Sequence, residues 1–397
     1  MGYLVDQSKG MLGKPDSVEL WEQIICTIPD SVLLKDDVQI LCVAVGHGTE
    51  ADVIAKRMLK LGRTVKEVKD AMVLLDKYSE FTNLAKQKGY THVVLSDFLD
   101  WETDMKFDVV VGNYPYGDSK DSGGTLWGKF SEKVFNDMLK QNGIVAVVHP
   151  PSFIGKHLSS GKGKSDYTCF RDNQIHQLHL FDEHEKDKYF RNVGTKVCWY
   201  VAEKSAPTLP TKLTGYDNGK VAEFDVDFST QTFLPQTVNK ISMSIHKKLT
   251  KLTPIKFKQT RELHYYTMKK KGQVSDTASG KFLYRSHFSH RITRYANYKM
   301  ADYNAIKVMV PQTSTFSKTF IDSSCNVSED LFYVICKDSQ EATKIKNYLT
   351  SDLVSYIGKV YRPGRNLGSL MIANLIPEPV DMNIFSKEEQ EYIAENA

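Results

Sequence analysis

The sequence predicts an α/β fold with a doubly wound sheet, followed by a second, basic α+β region. Three observations predict it. The apolar run Val38–Val45 ends in Gly46-His47-Gly48, and Ala51–Leu61 then carries Val53, Ile54, Met58 and Leu61 at helical spacing before Gly62. Strand, glycine turn and helix in that order form the opening unit of a Rossmann-like fold. Three further short apolar runs each deliver polar residues at their carboxyl ends, as strands lining one crevice do. Finally, charge divides unevenly along the chain: residues 1–204 sum to −3 and residues 205–397 to +7.

Taken in order, these strand ends carry a chemical pattern. Gly46 and Gly48 let the backbone approach a bound cofactor closely. Ala71–Leu75 leads to Asp76, a carboxylate placed to accept both hydroxyls of a ribose. Val93–Ser96 leads to Asp97-Phe98, an acceptor and a ring suited to an adenine. Phe107–Val111 ends at Gly112 and delivers Asn113-Tyr114-Pro115-Tyr116. There the amide offers an acceptor, Pro115 fixes its own φ and biases Tyr114 away from helix, and Tyr116 reads as an exposed stacking platform. Each piece has a plain alternative. Gly-x-Gly-x-x-Ala at Gly46–Ala51 also fits a dinucleotide fingerprint, Asp76 and Asp97 fit ordinary turns, and Phe98 fits a core. Their joint order, closed by a loop that a hydride-transfer site has no use for, favours transfer of a methyl group to an amino nitrogen on a flat ring.

Asn113-Tyr114-Pro115-Tyr116 resembles the Asp/Asn-Pro-Pro-Tyr signature of S-adenosyl-L-methionine-dependent amino methyltransferases. The first half of the chain resembles the adenine-specific DNA methylases of the Eco57I and TaqI type. That resemblance implies a catalytic loop of Asn113, Tyr114, Pro115 and Tyr116, and it places Phe190, in Tyr189–Thr195, at the edge of a flipped base. It implies a cofactor site of Ala44, Gly46, Gly48, Glu50, Asp76, Asp97, Phe98 and Asn113, with Pro15 from Gly13-Lys14-Pro15. The helix, glycine and strand series from Thr125 through Phe130, Val134, Met138 and Gly143 to Ile144–Val148, closing with His149-Pro150-Pro151, is also family-like. Two departures stand out: Cys42-Val43-Ala44 where the family carries an acid, and Tyr114 where it carries proline. Either Glu50 takes over part of the missing acid's work or the cofactor binds less tightly, and Tyr114 keeps the backbone carbonyl while giving up stiffness.

Composition fits this reading. The chain has 397 residues, 41% hydrophobic and 25% charged, enough for two cored domains. No apolar run reaches bilayer length and no signal-peptide layout opens it, so the expectation is a cytoplasmic protein without membrane contact. The six cysteines lack a Cys-x-x-Cys pair and read as reduced core thiols, with no metal site expected.

The boundary reads at Ser205–Pro210, dividing a cofactor-binding catalytic domain, 1–204, from a target-recognition domain, 205–397. Lys240–Lys307 holds 16 basic and three acidic residues, interleaved with Tyr265, Tyr266, Phe282, Tyr284, Phe288, Tyr295, Tyr298 and Tyr303. Against a plain solvated face, this density favours duplex DNA: Lys269, Lys270 and Lys271 on phosphates, and Arg285, His287, Arg291 and Arg294 near bases. Arg362 and Arg365 form a further basic turn. Phe316–Ile321 and Leu331–Cys336 read as strands, and Glu341–Ile357 as one amphipathic helix. The resemblance allows a cognate restriction nuclease as a partner, and the sequence leaves its presence open. The rivals are a cytosine-N4 methyltransferase, an RNA or protein-glutamine methyltransferase, and an inactive DNA-binding specificity protein.

Overall fold

The computed structural model describes residues 17–116, 126–155, 168–190, 193–217, 219–228, 234–260, 263–312, 316–361 and 375–397. Lys14, Pro15, Arg362 and Arg365 lie outside them. The chain forms two compact units, Met1–Phe233 with Thr237–Asn239, and Leu234–Gln236 with Lys240–Ala397.

The first unit is organised by a nine-stranded sheet. Its strands are β1 (Ile40–Val43), β2 (Met72–Asp76), β3 (His92–Leu95), β4 (Phe107–Asn113), β5 (Leu139–His149), β6 (Gln174–Leu180), β7 (Cys198–Glu203), β8 (Thr211–Asp217) and β9 (Lys220–Val226). Their spatial order is β3-β2-β1-β4-β5-β7-β6-β8-β9. The first five pair in parallel, so β1 reverses the winding and its carboxyl end opens a topological switch point beside β4. β7 runs antiparallel to both β5 and β6. That reversed strand separates the sheet from the dinucleotide-binding order, in which six parallel strands run 3-2-1-4-5-6.

The apolar runs are continuous because both faces are covered. Ile40, Cys42, Met72, Leu74, Val109 and Val111 join one core cluster with Val53, Ile54 and Met58 of the helix Thr49–Lys60. The alternate residues Leu41, Val43, Val110, Val145 and Val147 are equally buried, on the opposite face. At the amino end of β4, Asp108 accepts from Lys35 at 3.0 Å, Lys140 at 2.7 Å and the Gln39 amide at 3.0 Å. These bonds offset the burial of its carboxylate and hold its pKa below the usual range.

The division between units falls later in the chain than Ser205–Pro210. β8 pairs in parallel with β6 and antiparallel with β9, so the sheet runs on past both prolines. Pro207 and Pro210 sit in the β7–β8 connection, where the Gln174 side chain accepts from the amides of Thr208 and Leu209 at 2.8 and 2.9 Å. A proline-rich segment here marks a connection within one sheet.

The second unit contains β10 (Val274–Ser275), β11 (Tyr284–His287), β12 (Thr293–Ala296), β13 (Ile306–Pro311), β14 (Phe320–Asp322), β15 (Asn326–Val327) and β16 (Leu331–Cys336). They form a four-stranded sheet, β10-β12-β11-β15, and a three-stranded sheet, β14-β13-β16. Phe316–Lys318 is a short 3-10 turn, so the strand expected there is confined to Phe320–Asp322. The single helix expected over Glu341–Ile357 is two, Ser339–Leu349 and Asp352–Val360, because Ser351 starts the second as its N-cap. Five of the six cysteines are buried as free thiols and Cys26 is exposed. Among the described residues, no helix is long and apolar enough to cross a membrane.

Candidate active site

The parallel register brings the sequence-predicted strand ends to one edge. Val43 pairs with Leu75 on one side and with Gly112 on the other, and Asp76 pairs with Leu95. Beyond β1, Ala44, Gly46 and Gly48 all take positive φ, at 54°, 50° and 75°. That backbone suits glycine and is uncommon for alanine. Gly48 is the N-cap of the helix Thr49–Lys60, so the turn feeds directly into a helix N-terminus.

Asp76 holds this turn. One carboxylate oxygen accepts from the Gly46 amide and the other from the Tyr78 amide, both at 2.9 Å. The group is buried, and desolvation raises its pKa in spite of those bonds. Glu50 is 5% exposed in the first turn of the helix, and its Oε1 is buried without a hydrogen-bond partner. Burial, reinforced by the charges of Asp76 and Asp52, lifts its pKa to about 8. An unmet acceptor beside Asp76 and the glycine turn fits a cofactor that brings donors and positive charge. Cys42 is fully buried in the core, and burial raises its thiol pKa. It therefore offers no anion at the end of β1.

Asp97 accepts from the Leu99 amide at 3.0 Å through one oxygen. Phe98 is buried and packs at 4.8 Å on Phe130, which in turn packs at 5.4 Å on Tyr114. Lys133 lies over the Phe98 ring at 5.6 Å and donates to the carbonyls of Leu99 and Trp101 at 2.9 and 2.7 Å. One aromatic chain therefore joins the expected adenine pair to the expected catalytic loop.

Asn113 is the last residue of β4 and pairs with Val148 of β5. Gly112, read from the sequence as the end of the strand, lies inside it. A Cβ there would stand 2.4 Å from the Val43 carbonyl oxygen, so only glycine permits this approach of β4 to β1. The available signal was one glycine interrupting an otherwise β-branched strand. Sequence reasoning also missed His149, on which Tyr114 stacks at 6.0 Å, and Trp127, which stacks on His149 in turn. The His149 and Trp127 rings are stacked at 4.5 Å with an interplanar angle of 10°.

Two expectations about exposure are corrected. Tyr116 is buried, in the same apolar cluster as Phe190 and Val148. Phe190 is 0% exposed and packs at 5.7 Å against Phe181. In this conformation neither ring is an open platform, because the apolar surface around them closes on itself.

In the second unit, Lys269, Lys270 and Lys271 are exposed, with Lys269 5.9 Å from the Tyr265 ring centroid. Arg291 is also exposed and donates to His290 at 3.1 Å. Arg285 is instead bound to the Asp322 carboxylate and to the Ser323 carbonyl, and Arg294 to Asp276. His287 is turned inward, its ring nitrogens engaged by Asp322 at 2.7 Å and Thr293 at 3.0 Å. Lys307 is fully buried and donates to the carbonyls of Asp302, Tyr303 and Cys325. The basic density of Lys240–Lys307 is thus partly internal. His287, Asp322 and Cys325 are close enough to share a cation. Arg285 and His287 already engage the two oxygens of Asp322, so this carboxylate is the centre of an ion-paired group.

Residues 48–186 match the family model described as "Eco57I restriction-modification methylase". No curated protein sequence is similar to this chain. Among solved structures, the type IIG restriction endonuclease BpuSI is 11% identical over 98% of this chain and 61% of that one, with a TM-score of 0.46. A type I R-M system structure is 11% identical over 62% and 52%, with a TM-score of 0.41. The type I restriction enzyme EcoKI M protein is 15% identical over 51% and 47%, with a TM-score of 0.37. This chain spans about half to two thirds of the length of those proteins. The methylase match covers the glycine turn from Gly48, the acids at Asp76 and Asp97, the Asn113–Tyr116 loop and the strands around them, and it supports S-adenosyl-L-methionine as the cofactor of this crevice.

Proposed function

We propose that this chain is a DNA methyltransferase that moves a methyl group from S-adenosyl-L-methionine to the N6 amino nitrogen of a flipped-out adenine. One observation carries the reading: the Asp76-bound glycine turn and the Asn113–Tyr116 loop stand at the carboxyl ends of neighbouring parallel strands. Asp76 and Glu50 would hold the cofactor's hydroxyl and ammonium donors. Asp97 would take the amino group of its adenine, and Phe98 would pack on that ring. Pro15, outside the described residues, would join them. The cofactor supplies a methyl group activated by its sulfonium.

The chain's own contribution is orientation and charge stabilisation. An adenine amino nitrogen is a weak nucleophile because its lone pair is delocalised into the ring. The Asn113 side-chain oxygen and the Tyr114 carbonyl would accept its two hydrogens and favour a pyramidal nitrogen. The same oxygens would stabilise the positive charge that develops there, as an oxyanion hole does with the opposite sign. Flipping is required because the duplex hides this nitrogen in the stack. Tyr116 and Phe190 would then line the base pocket once the apolar surface between them parts.

The first unit is assigned the chemistry and the second the target sequence. The exposed lysines 269–271 would contact phosphates, with Arg291 nearest to a free reading group. Arg362 and Arg365 would add contacts from outside the described residues, while Arg285, His287 and Arg294 would frame the surface. The match to a restriction-modification family supports a restriction nuclease as a partner.

Three variants test these assignments. Asp76→Ala removes a buried acceptor of two amides and should weaken cofactor binding by at least about 1–3 kcal/mol. Glu50→Gln should weaken it too and should also change its pH dependence. A cation bound beside Glu50 favours the ionised form, so parental affinity should rise with pH until about 8 and then level. In Glu50→Gln that slope should vanish, and calorimetry in buffers of different ionisation enthalpy checks the released proton. For DNA, the parent's affinity should fall steeply with salt. Changing Lys269, Lys270 and Lys271 together to Gln should lower the log–log slope by about three. A flat salt response in the parent returns this surface to plain solvation.

A further inference from the structure

Tyr114 occupies the position where the resembled signature has proline, and its environment is specific. Its ring is 1% exposed, packed on Phe130 at 5.4 Å and stacked on His149 at 6.0 Å with planes 10° apart. His149 is itself sandwiched against Trp127, and its Nδ1–H donates to the Pro150 carbonyl at 2.8 Å. Burial holds the imidazole pKa down at about 3, so this ring stays neutral and the stack carries no charge. The Tyr114 hydroxyl is buried without a hydrogen-bond partner, so what the site uses is the ring.

The backbone adds a second constraint. The Tyr114 amide donates to the Val148 carbonyl at 3.0 Å, extending the β4–β5 ladder one residue past Asn113. A proline at this position has no N–H and cannot make that bond. Two residues on, the Tyr116 ring enters the core cluster that holds Val148 and Trp199. His149 lies on the alternate face of β5, so Tyr114 and Tyr116 anchor the loop on opposite faces of the sheet, with Pro115 between them.

We infer that Tyr114 is the positioning residue of this loop: its amide and its buried ring together fix Asn113 and the Tyr114 carbonyl, the work that proline does in the resembled signature. This rests on the methyltransferase reading for what the loop positions, but the anchoring itself is a property of the fold. The consequence runs against the signature, because installing its proline here inactivates the protein.

The test compares Tyr114→Phe, Tyr114→Leu, Tyr114→Ala and Tyr114→Pro in the full chain. It uses methyl transfer, cofactor calorimetry and hydrogen exchange of the Asn113, Tyr114 and Tyr116 amides. Tyr114→Phe, which keeps the ring and the amide, should keep the parent's exchange rates and lose the least activity of the four. Tyr114→Leu, which keeps an apolar anchor, should fall between Phe and Ala. In Tyr114→Ala the exchange of these amides should speed up at least tenfold and kcat should fall at least tenfold, while cofactor affinity stays within about threefold. Tyr114→Pro should be worse than Tyr114→Ala in kcat. Parental activity in Tyr114→Pro, unchanged exchange in Tyr114→Ala, or equal damage in Tyr114→Phe and Tyr114→Ala each overturns the inference. If the parent transfers no methyl group while the exchange pattern holds, the functional reading fails and the anchoring stands.

Discussion

Asn113→Ala is expected to lower methyl transfer by about 10²–10³-fold while leaving cofactor and DNA affinity within a few-fold. The magnitude is that of removing one preorganised polar group from a site where charge develops. The selectivity follows from timing, since the contact to the amino group strengthens as the nitrogen becomes positive and contributes little in the ground state. Single-turnover kinetics with saturating cofactor and DNA separates the two effects. A variant that loses affinity in proportion to its rate would assign Asn113 to binding. Full activity would remove it from the site.

Gly112→Ala should be a strongly destabilising one-methyl change beside the candidate site. The added carbon meets the Val43 carbonyl oxygen at 2.4 Å, and that atom is backbone, so relief requires β1 and β4 to part. Overpacking of this kind costs about 1–3 kcal/mol, or more where the backbone must move. Since Val43 precedes the Ala44–Gly48 turn and Gly112 precedes Asn113, cofactor binding should fall along with stability. Chemical denaturation and calorimetry check both. Gly194→Ala, whose new carbon meets nothing within 4 Å, is the control and should be near neutral.

The parallel half of the sheet was legible in the sequence because its strands are buried on both faces, and such strands read as uninterrupted apolar runs. Val38–Val45, Ala71–Leu75 and Phe107–Val111 each fell on an observed strand, and the polar residue at each end fell at the same edge. Leu331–Cys336 matched its strand residue for residue. Misreadings occurred where local signals have two meanings. Two prolines near Pro207 look the same in a linker as in a loop between sheet neighbours, and only the pairing of β8 with β6 distinguishes them. Thr350-Ser351-Asp352 is a helix cap inside an amphipathic pattern that was read as continuous.

The candidate site divides in the same way. Gly46, Gly48 and Asp76 were readable as a glycine turn and a strand-end carboxylate, and the fold gives both glycines positive φ and sets the Gly46 amide on Asp76. Tyr116 and Phe190 were readable as aromatic but not as buried, since burial depends on surfaces brought from distant segments. The charge of Arg285, Arg294 and Lys307 was plain in the sequence. Their partners, Asp322, Asp276 and a ring of carbonyls, were not. Composition counts charges; only the fold pairs them.

The most direct test of the central claim is to incubate the full chain with S-adenosyl-L-methionine labelled in its methyl group and duplex DNA of mixed sequence. The DNA is then digested to nucleosides and the label located by chromatography and mass spectrometry. The account predicts label in N6-methyladenine, dependent on Asn113. Label in N4-methylcytosine would keep the site and change the base. No label in DNA, with the cofactor bound or not, would contradict the account.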